Sequence, residues 1–102
     1  MNTRSKSSTV RVLEKSLGSA LTFGLRLNSL RKADGETLEI FASKLGISKQ
    51  HLNDIEKGRK SVSPERAARF AQILGFSEDR FIQLALQDQL TQAGLNYKVH
   101  VS

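Results

Sequence analysis

Four side chains able to recognise a base pair stand close together in the sequence: Lys49, Gln50, Asn53 and Asp54. Their spacing places them on the outer side of one helix. The amides of Gln50 and Asn53 each offer a donor and an acceptor, which complement adenine N6 and N7. Lys49 can donate to guanine O6 and N7 or to phosphate, and Asp54 can accept from cytosine N4. We therefore take these residues as candidates for reading bases in double-stranded DNA.

Hydroxyl and cationic side chains lie on both sides of this group. Such side chains can donate hydrogen bonds to phosphate oxygens, and these contacts position a protein on DNA without reading its sequence. An anion such as Asp54 is unfavourable near phosphates unless a donor accompanies it. The candidate phosphate-binding residues are Thr37, Ser48, Lys57, Arg59, Lys60 and Ser61.

The elements that must position these residues are predicted from the apolar spacing around them. Phe41 and Leu45 are four apart and share a helical face, and Leu52 and Ile55, three apart, share a face on the next helix. A small side chain at Ala42 allows the two helices to cross closely. The spacing thus predicts two packed helices with a polar face on the second.

The connection between these helices is also predicted. Gly46 supplies the positive φ that ends the first helix, Ile47 fills the corner, and Ser48 caps the second helix. Together these features give the stretch Leu38–Lys57 the spacing of a helix-turn-helix. We expect its second helix to run from Lys49 to about Lys57.

The apolar periodicity predicts an all-α domain of five helices with a short C-terminal β-strand. Asp34 and Gly35 end the first helix, and Ser63 followed by Pro64 opens the fourth. The fifth carries apolar residues on more than one face, which suggests an interface. The predicted helices are about Ser19–Ala33, one beginning after Thr37, Lys49 to about Lys57, one from Ser63 to Gly75, and one from Ser77 to near Gly94.

The C-terminal segment alternates apolar and polar residues, the pattern of a strand. A lone strand leaves its backbone groups unpaired, so it must pair with the segment around Val10, with a second protomer, or with another protein's sheet. The expected dimer or partner contacts are Leu86, Leu90, Leu95, Tyr97, Val99 and Val101.

The N-terminal residues carry weaker signals. Residues 1–8 have no apolar periodicity and are interpreted as an arm, either touching the DNA backbone or simply frayed. Thr9–Leu13 alternates weakly, as a strand or the beginning of a helix. We expect an arm over 1–16, the helix-turn-helix domain over 17–86 and a dimerisation element over 87–102.

Composition narrows the function. The 102 residues carry a net charge of +6 and a pI near 10.1, which favours polyanionic partners, and the cations are concentrated near Lys49–Lys60. Without cysteine, with only two histidines and without a phosphate-binding loop, the sequence predicts no enzyme, cofactor or metal site. Neither a membrane span nor a secretory signal is predicted, and we expect a cytoplasmic protein.

Residues from about Phe23 to Leu84 resemble the Cro/CI-type (Xre-like) helix-turn-helix family. The match covers about three fifths of the chain and rests on two further marks. Glu56–Lys60 resembles the family's Glu-Asn-Gly-Lys/Arg ending to the third helix, and Arg31 stands four residues before Gly35. The resemblance implies a small bacterial or phage transcriptional regulator.

The resemblance also implies roles for particular residues. Arg31 and Glu56 are expected to form a partly buried ion pair that locks the first helix to the third. The third helix, from Lys49, is expected to enter the major groove while the second abuts the backbone. This chain departs from its relatives at Leu38, where many have Gln, and at Lys57, where Asn is commoner.

Two functions remain open from the sequence. The first is a homodimeric, sequence-specific regulator, most simply a repressor, whose two recognition helices lie about 34 Å apart on a roughly palindromic site. The alternative is an antitoxin-type protein that autoregulates its operon and binds a toxin through its tail. How the segment from Asp88 to Ser102 is packed distinguishes them.

Overall fold

A computed structural model describes residues 22–101, which form five helices and no strand. The all-α, five-helix prediction is therefore confirmed for this part of the chain. The predicted arm and the predicted Thr9–Leu13 element lie outside the described residues. The helices are α1 (Phe23–Ala33), α2 (Leu38–Leu45), α3 (Lys49–Glu56), α4 (Pro64–Leu74) and α5 (Glu78–Gln92).

Each of these five helices is preceded by a Ser or Thr N-cap residue whose backbone is extended. Each hydroxyl oxygen accepts a hydrogen bond from a backbone N–H of the first turn, which would otherwise lack a partner. Since Thr22 caps α1, this helix begins at Phe23 rather than at the predicted Ser19. The N-caps are Thr22, Thr37, Ser48, Ser63 and Ser77.

One apolar core joins all five helices. At its centre the ring of Phe23 contacts those of Phe70 and Phe81, with centroids 6.3 and 5.3 Å apart. Val62, in the loop between α3 and α4, also enters the core although no periodicity marks it. The buried apolar residues are Phe23, Leu27, Phe41, Ala42, Leu45, Leu52, Ile55, Val62, Ala67, Phe70, Ala71, Phe81 and Ala85.

The turn between α2 and α3 has the predicted construction. Gly46 lies in the left-handed region at φ 74°, and the backbone N–H of Ile47 donates to the carbonyl of Ala42, 3.0 Å away. Ile47 is half-buried and packs against the core. The corner therefore fixes the direction in which α3 leaves α2.

The predicted C-terminal strand is wrong for the described chain. Residues 95–101 have no regular secondary structure, and the side chain of Gln87 on α5 takes the place of a neighbouring strand. Gln87 Nε2 donates to the carbonyl of Tyr97 (2.9 Å), and the N–H of Val99 donates to Gln87 Oε1 (3.0 Å). The backbone N–H and C=O groups of the tail still need hydrogen-bond partners, and the side-chain amide of Gln87 supplies partners for two of them.

Candidate nucleic-acid interface

The inner side of α3 is fixed against α1 by a close backbone approach. Leu52 and Ile55 on this side are buried, and Gly24 of α1 lies against the carbonyl of Ile55. A Cβ atom at position 24 would overlap that carbonyl oxygen. Glycine is therefore required here by contact between two helices, in the middle of the first turn of α1.

An ion pair closes the same side of α3 at its C-terminal end. Arg31 Nε lies 2.9 Å from Glu56 Oε2, and Arg31 Nη2 lies 3.0 Å from Glu56 Oε1. Asn28 adds a third donor to this carboxylate at 2.8 Å. Only 15% of the Arg31 side chain and 5% of the Glu56 side chain are exposed, and the hydrogen bonds to Glu56 raise the pKa of Arg31. The bidentate geometry holds α1 and α3 in one relative orientation.

The opposite side of α3 carries the candidate base-reading residues. Lys49 and Gln50 are exposed, in the first turn of the helix. Asn53 is half-exposed at the border of the two sides, because the small cleft that it lines with Leu38 and Lys57 also includes the buried ion pair. Leu38 is partly buried and packs against the core.

Asp54 is the candidate base reader whose surroundings differ most from the sequence-based expectation. Its Oδ1 accepts from Arg59 Nε at 2.9 Å and from Gln50 Nε2 at 3.0 Å. The hydrogen bond from Arg59, followed by that from Gln50, holds the pKa of Asp54 below its ordinary value. The side chain is 15% exposed, and its charge is compensated within the chain.

The candidate phosphate-binding residues lie at the ends of α2 and α3. The hydroxyls of Thr37 and Ser48 accept hydrogen bonds as helix caps, and each keeps its own hydrogen to donate. Lys57, Lys60 and Ser61 are exposed at and beyond the end of α3. Their groups can donate to a polyanion without loss of an internal contact.

His51 forms a contact that the sequence did not predict. It lies between α3 and α4, where Arg66 Nη1 is 3.2 Å from its Nε2 and 3.4 Å from its Nδ1. Partial burial, followed by the positive charges of Arg66 and Lys60, lowers the pKa of His51. The ring is therefore neutral at neutral pH and accepts from Arg66. This contact ties the first turn of α3 to α4.

Four residues that shape this site carry no signal of their role in the sequence. Gly24 and Asn28 lie among helix-forming residues with no local signal, because their roles depend on which part of α3 crosses α1. Arg66 is an ordinary charged residue of an amphipathic helix. Asp88, on α5, accepts from the N–H of Phe23 at 3.0 Å and so holds the beginning of α1. Burial raises the pKa of Asp88.

The fold and the site define a class. Two short helices joined by a glycine turn, with the second presenting polar and cationic side chains outward, form a helix-turn-helix. Residues 22–82 match the family described as Helix-turn-helix domain, and the chain belongs to that family. This membership indicates a DNA-binding regulator and agrees with the Cro/CI-type resemblance. No curated protein and no solved structure matches the chain.

Two other features, a membrane-spanning helix and a metal-binding cluster, are not found among the described residues. Within 22–101, no helix combines the length and apolar character that crossing a membrane requires. The same residues contain no cluster of three or more histidine, aspartate or glutamate side chains that could hold a metal ion.

Proposed function

We propose that this protein is a sequence-specific DNA-binding regulator that inserts α3 into the major groove as part of a homodimer. It acts as a repressor in the simplest case, by occupying its site. The observation that carries the proposal is the division of α3 into two sides. The inner side is buried and locked to α1, whereas Lys49, Gln50 and Asn53 keep free hydrogen-bonding groups on the other side.

The surrounding charges support the same orientation. Arg59 and Lys60 follow α3, and Thr37 and Ser48 are the N-cap residues of α2 and α3. In this arrangement α3 reads base edges while the flanking groups contact phosphates. Lys49, Gln50 and Asn53 are the proposed base readers, and the flanking groups supply affinity for any duplex.

Selection of binding sites from random DNA with the purified full chain tests the proposal. We expect an enriched site with two-fold symmetry and half-sites about 10 base pairs apart, because two recognition helices of a dimer lie about 34 Å apart. A scrambled duplex of equal length is the control. Failure to enrich any sequence, with equal affinity for both duplexes, would contradict sequence-specific binding.

Phosphate anchoring is tested with one variant. Arg59→Ala should weaken binding to the selected site and to scrambled DNA alike, and should lower the slope of log K against log salt by about one. Titrations by fluorescence anisotropy at several salt concentrations measure both quantities. A loss confined to the selected site would assign Arg59 to base reading instead.

The homodimer is proposed from an apolar groove between the residues that precede α5 and the tail that follows it. Phe76, Leu95 and Tyr97 are 43, 46 and 70% exposed and line one groove. Burial of such side chains against a second copy would remove apolar area from water. Deletion of residues 95–102 should therefore weaken dimerisation in sedimentation equilibrium, and an unchanged dimer would show that the tail is not part of the contact.

The same exposed groove supports the antitoxin-type alternative. If the full chain sediments as a monomer and still binds DNA, the groove is free for a different protein. The two functions predict different effects of deleting the tail on the affinity for DNA. Loss of DNA affinity follows loss of dimerisation, whereas a partner-binding tail leaves the affinity for DNA unchanged.

A further inference from the structure

The outer side of α3 contains an internal hydrogen-bond network. Asp54 lies one helical turn after Gln50, and its Oδ1 receives hydrogen bonds from Gln50 Nε2 and Arg59 Nε, at 3.0 and 2.9 Å. Arg59 is on the loop that follows α3, and its backbone N–H donates to the carbonyl of Asp54 at 2.8 Å. One carboxylate therefore connects a candidate base reader with a candidate phosphate anchor.

We propose that Asp54 is a positioning residue for DNA recognition, which orients the Gln50 amide to recognise adenine and holds Arg59 beside it for a backbone phosphate. The inference rests on the proposed function and names the base that this part of the site recognises. It replaces the expectation that Asp54 itself accepts from cytosine. The structure of the network supplies three reasons.

The first reason is that the carboxylate determines which way the amide of Gln50 points. If the amide were turned over, its Oε1 would face the negative oxygen of Asp54, whereas in the observed arrangement Nε2 donates to it. One Nε2 hydrogen is used in this contact. The second hydrogen and Oε1 remain, and this donor and acceptor match adenine N7 and N6.

The second reason is electrostatic. An uncompensated carboxylate beside DNA would be repelled by the phosphates. Arg59 compensates the charge of Asp54 and leaves the rest of its guanidinium to donate, because an arginine carries five N–H groups. Both donors bond to Oδ1 of Asp54, so a contact with cytosine would fall to Oδ2 while Oδ1 keeps Gln50 and Arg59 in place.

The third reason concerns entropy. Gln50 is exposed, and a free glutamine loses rotamer freedom when it binds a base. The hydrogen bond to Asp54 restricts the side chain before DNA arrives. Removal of that restraint should lower the preference for adenine about three- to tenfold, the range expected for ordering one flexible side chain.

A double-mutant cycle tests the inference. The measured quantity is the ratio of affinities for the selected site and for sites substituted at each base pair. It is measured for the wild type, Gln50→Ala, Asp54→Ala and the double variant. At the A·T pair where Gln50→Ala removes the preference, Asp54→Ala should lower it about three- to tenfold. In the Gln50→Ala background, Asp54→Ala should have no further effect at that pair.

Two controls separate positioning from charge. Asp54→Asn keeps an oxygen that accepts from Gln50 and Arg59, so it should retain the preference within about twofold. Glu65→Ala removes one exposed carboxylate from α4 and should change affinity for every duplex without changing the preference. In the free protein, side-chain ¹⁵N relaxation of the Gln50 amide should show greater mobility in Asp54→Ala than in the wild type.

Other outcomes would overturn the inference. A changed preference at a separate G·C pair, independent of Gln50, would make Asp54 a direct reader of cytosine. An unchanged preference at every pair would remove Asp54 from recognition, while the preference of the wild type would keep the proposed function intact. A wild type without any base preference would instead refute the proposed function, and the inference with it.

Discussion

The two sides of α3 carry the same kind of ion pair in different surroundings. On the inner side Arg31 and Glu56 are 2.9 Å apart, with 15 and 5% of their side chains exposed. On the outer side Arg59 and Asp54 are also 2.9 Å apart, but 55% of the Arg59 side chain is exposed. Equal distances do not imply equal roles, because water screens the outer pair more strongly than the inner one.

The difference separates stability from recognition. A partly buried carboxylate with three donors cannot lose its partner without leaving a charge poorly solvated, so the inner pair should matter to folding. The outer pair includes a largely hydrated Arg59, so its loss should cost the folded state little, and we expect it to matter to DNA binding instead. Three changes test this separation, in order of decreasing effect.

The largest effect is expected at Gly24, on the inner side. Helix propensity alone predicts that Gly24→Ala stabilises α1 by about 1 kcal/mol. The new Cβ would overlap the carbonyl of Ile55, which is backbone and cannot rotate away, so we expect a cost of about 4 kcal/mol, above the usual range for overpacking, and a net loss of about 3 kcal/mol. Urea denaturation followed by circular dichroism measures it. Ser29→Ala, on the exposed side of α1, is the control, and an equal response of both variants would refute the close approach.

The second effect compares one chemical change at both ion pairs. Glu56→Gln should lower the free energy of unfolding by about 2 kcal/mol, because the charged partner of Arg31 is lost in a poorly hydrated place. Asp54→Asn, the same change on the outer side, should leave the free energy of unfolding nearly unchanged. If denaturation shows the reverse order, the assignment of the two pairs to folding and to recognition is wrong.

The smallest effect concerns the beginning of α1, held by Asp88. Burial raises the pKa of Asp88 above its ordinary value of 3.8, so the folded protein binds its proton more tightly than the unfolded chain does. The stability of the wild type should therefore fall, relative to Asp88→Asn, as the pH rises above that value. Asparagine carries no charge and can still accept from the N–H of Phe23.

Urea denaturation of both proteins at about pH 4 and about pH 7 measures this relative change. Comparison with Asp88→Asn removes the contribution of other carboxylates, including Asp54, whose lowered pKa acts in the opposite direction. A difference between the two proteins that stays constant with pH, or that favours the wild type at higher pH, would contradict the burial of Asp88.

Much of the fold was predictable because its signals are local. The N-caps Ser48 and Ser63, the glycine turn at Gly46 and the apolar stripes each depend on neighbours within a few residues. The helix-turn-helix could be placed from these features together. Its outward-facing polar residues followed from the helical period alone.

The rest depends on contacts between distant parts of the chain. Glycine is favoured at position 24 only because the carbonyl of Ile55 packs against it. Asp88 is buried only because α5 packs back against the beginning of α1. The tail shows the limit most clearly, since its alternation predicts a strand but cannot reveal that Gln87 bonds to its backbone. Arg59 is only five residues from Asp54, but the helical period ends with α3 and does not show that Arg59 turns back, so the sequence assigns Asp54 to bases.

The central claim is that the outer side of α3 reads base edges, and Gln50→Ala tests it most directly. The variant and the wild type are titrated on the selected site and on scrambled DNA at one salt concentration. We predict a loss of about 1 to 3 kcal/mol on the selected site and almost none on scrambled DNA, because Gln50 contacts a base and not the backbone. Equal losses on both duplexes would contradict the claim.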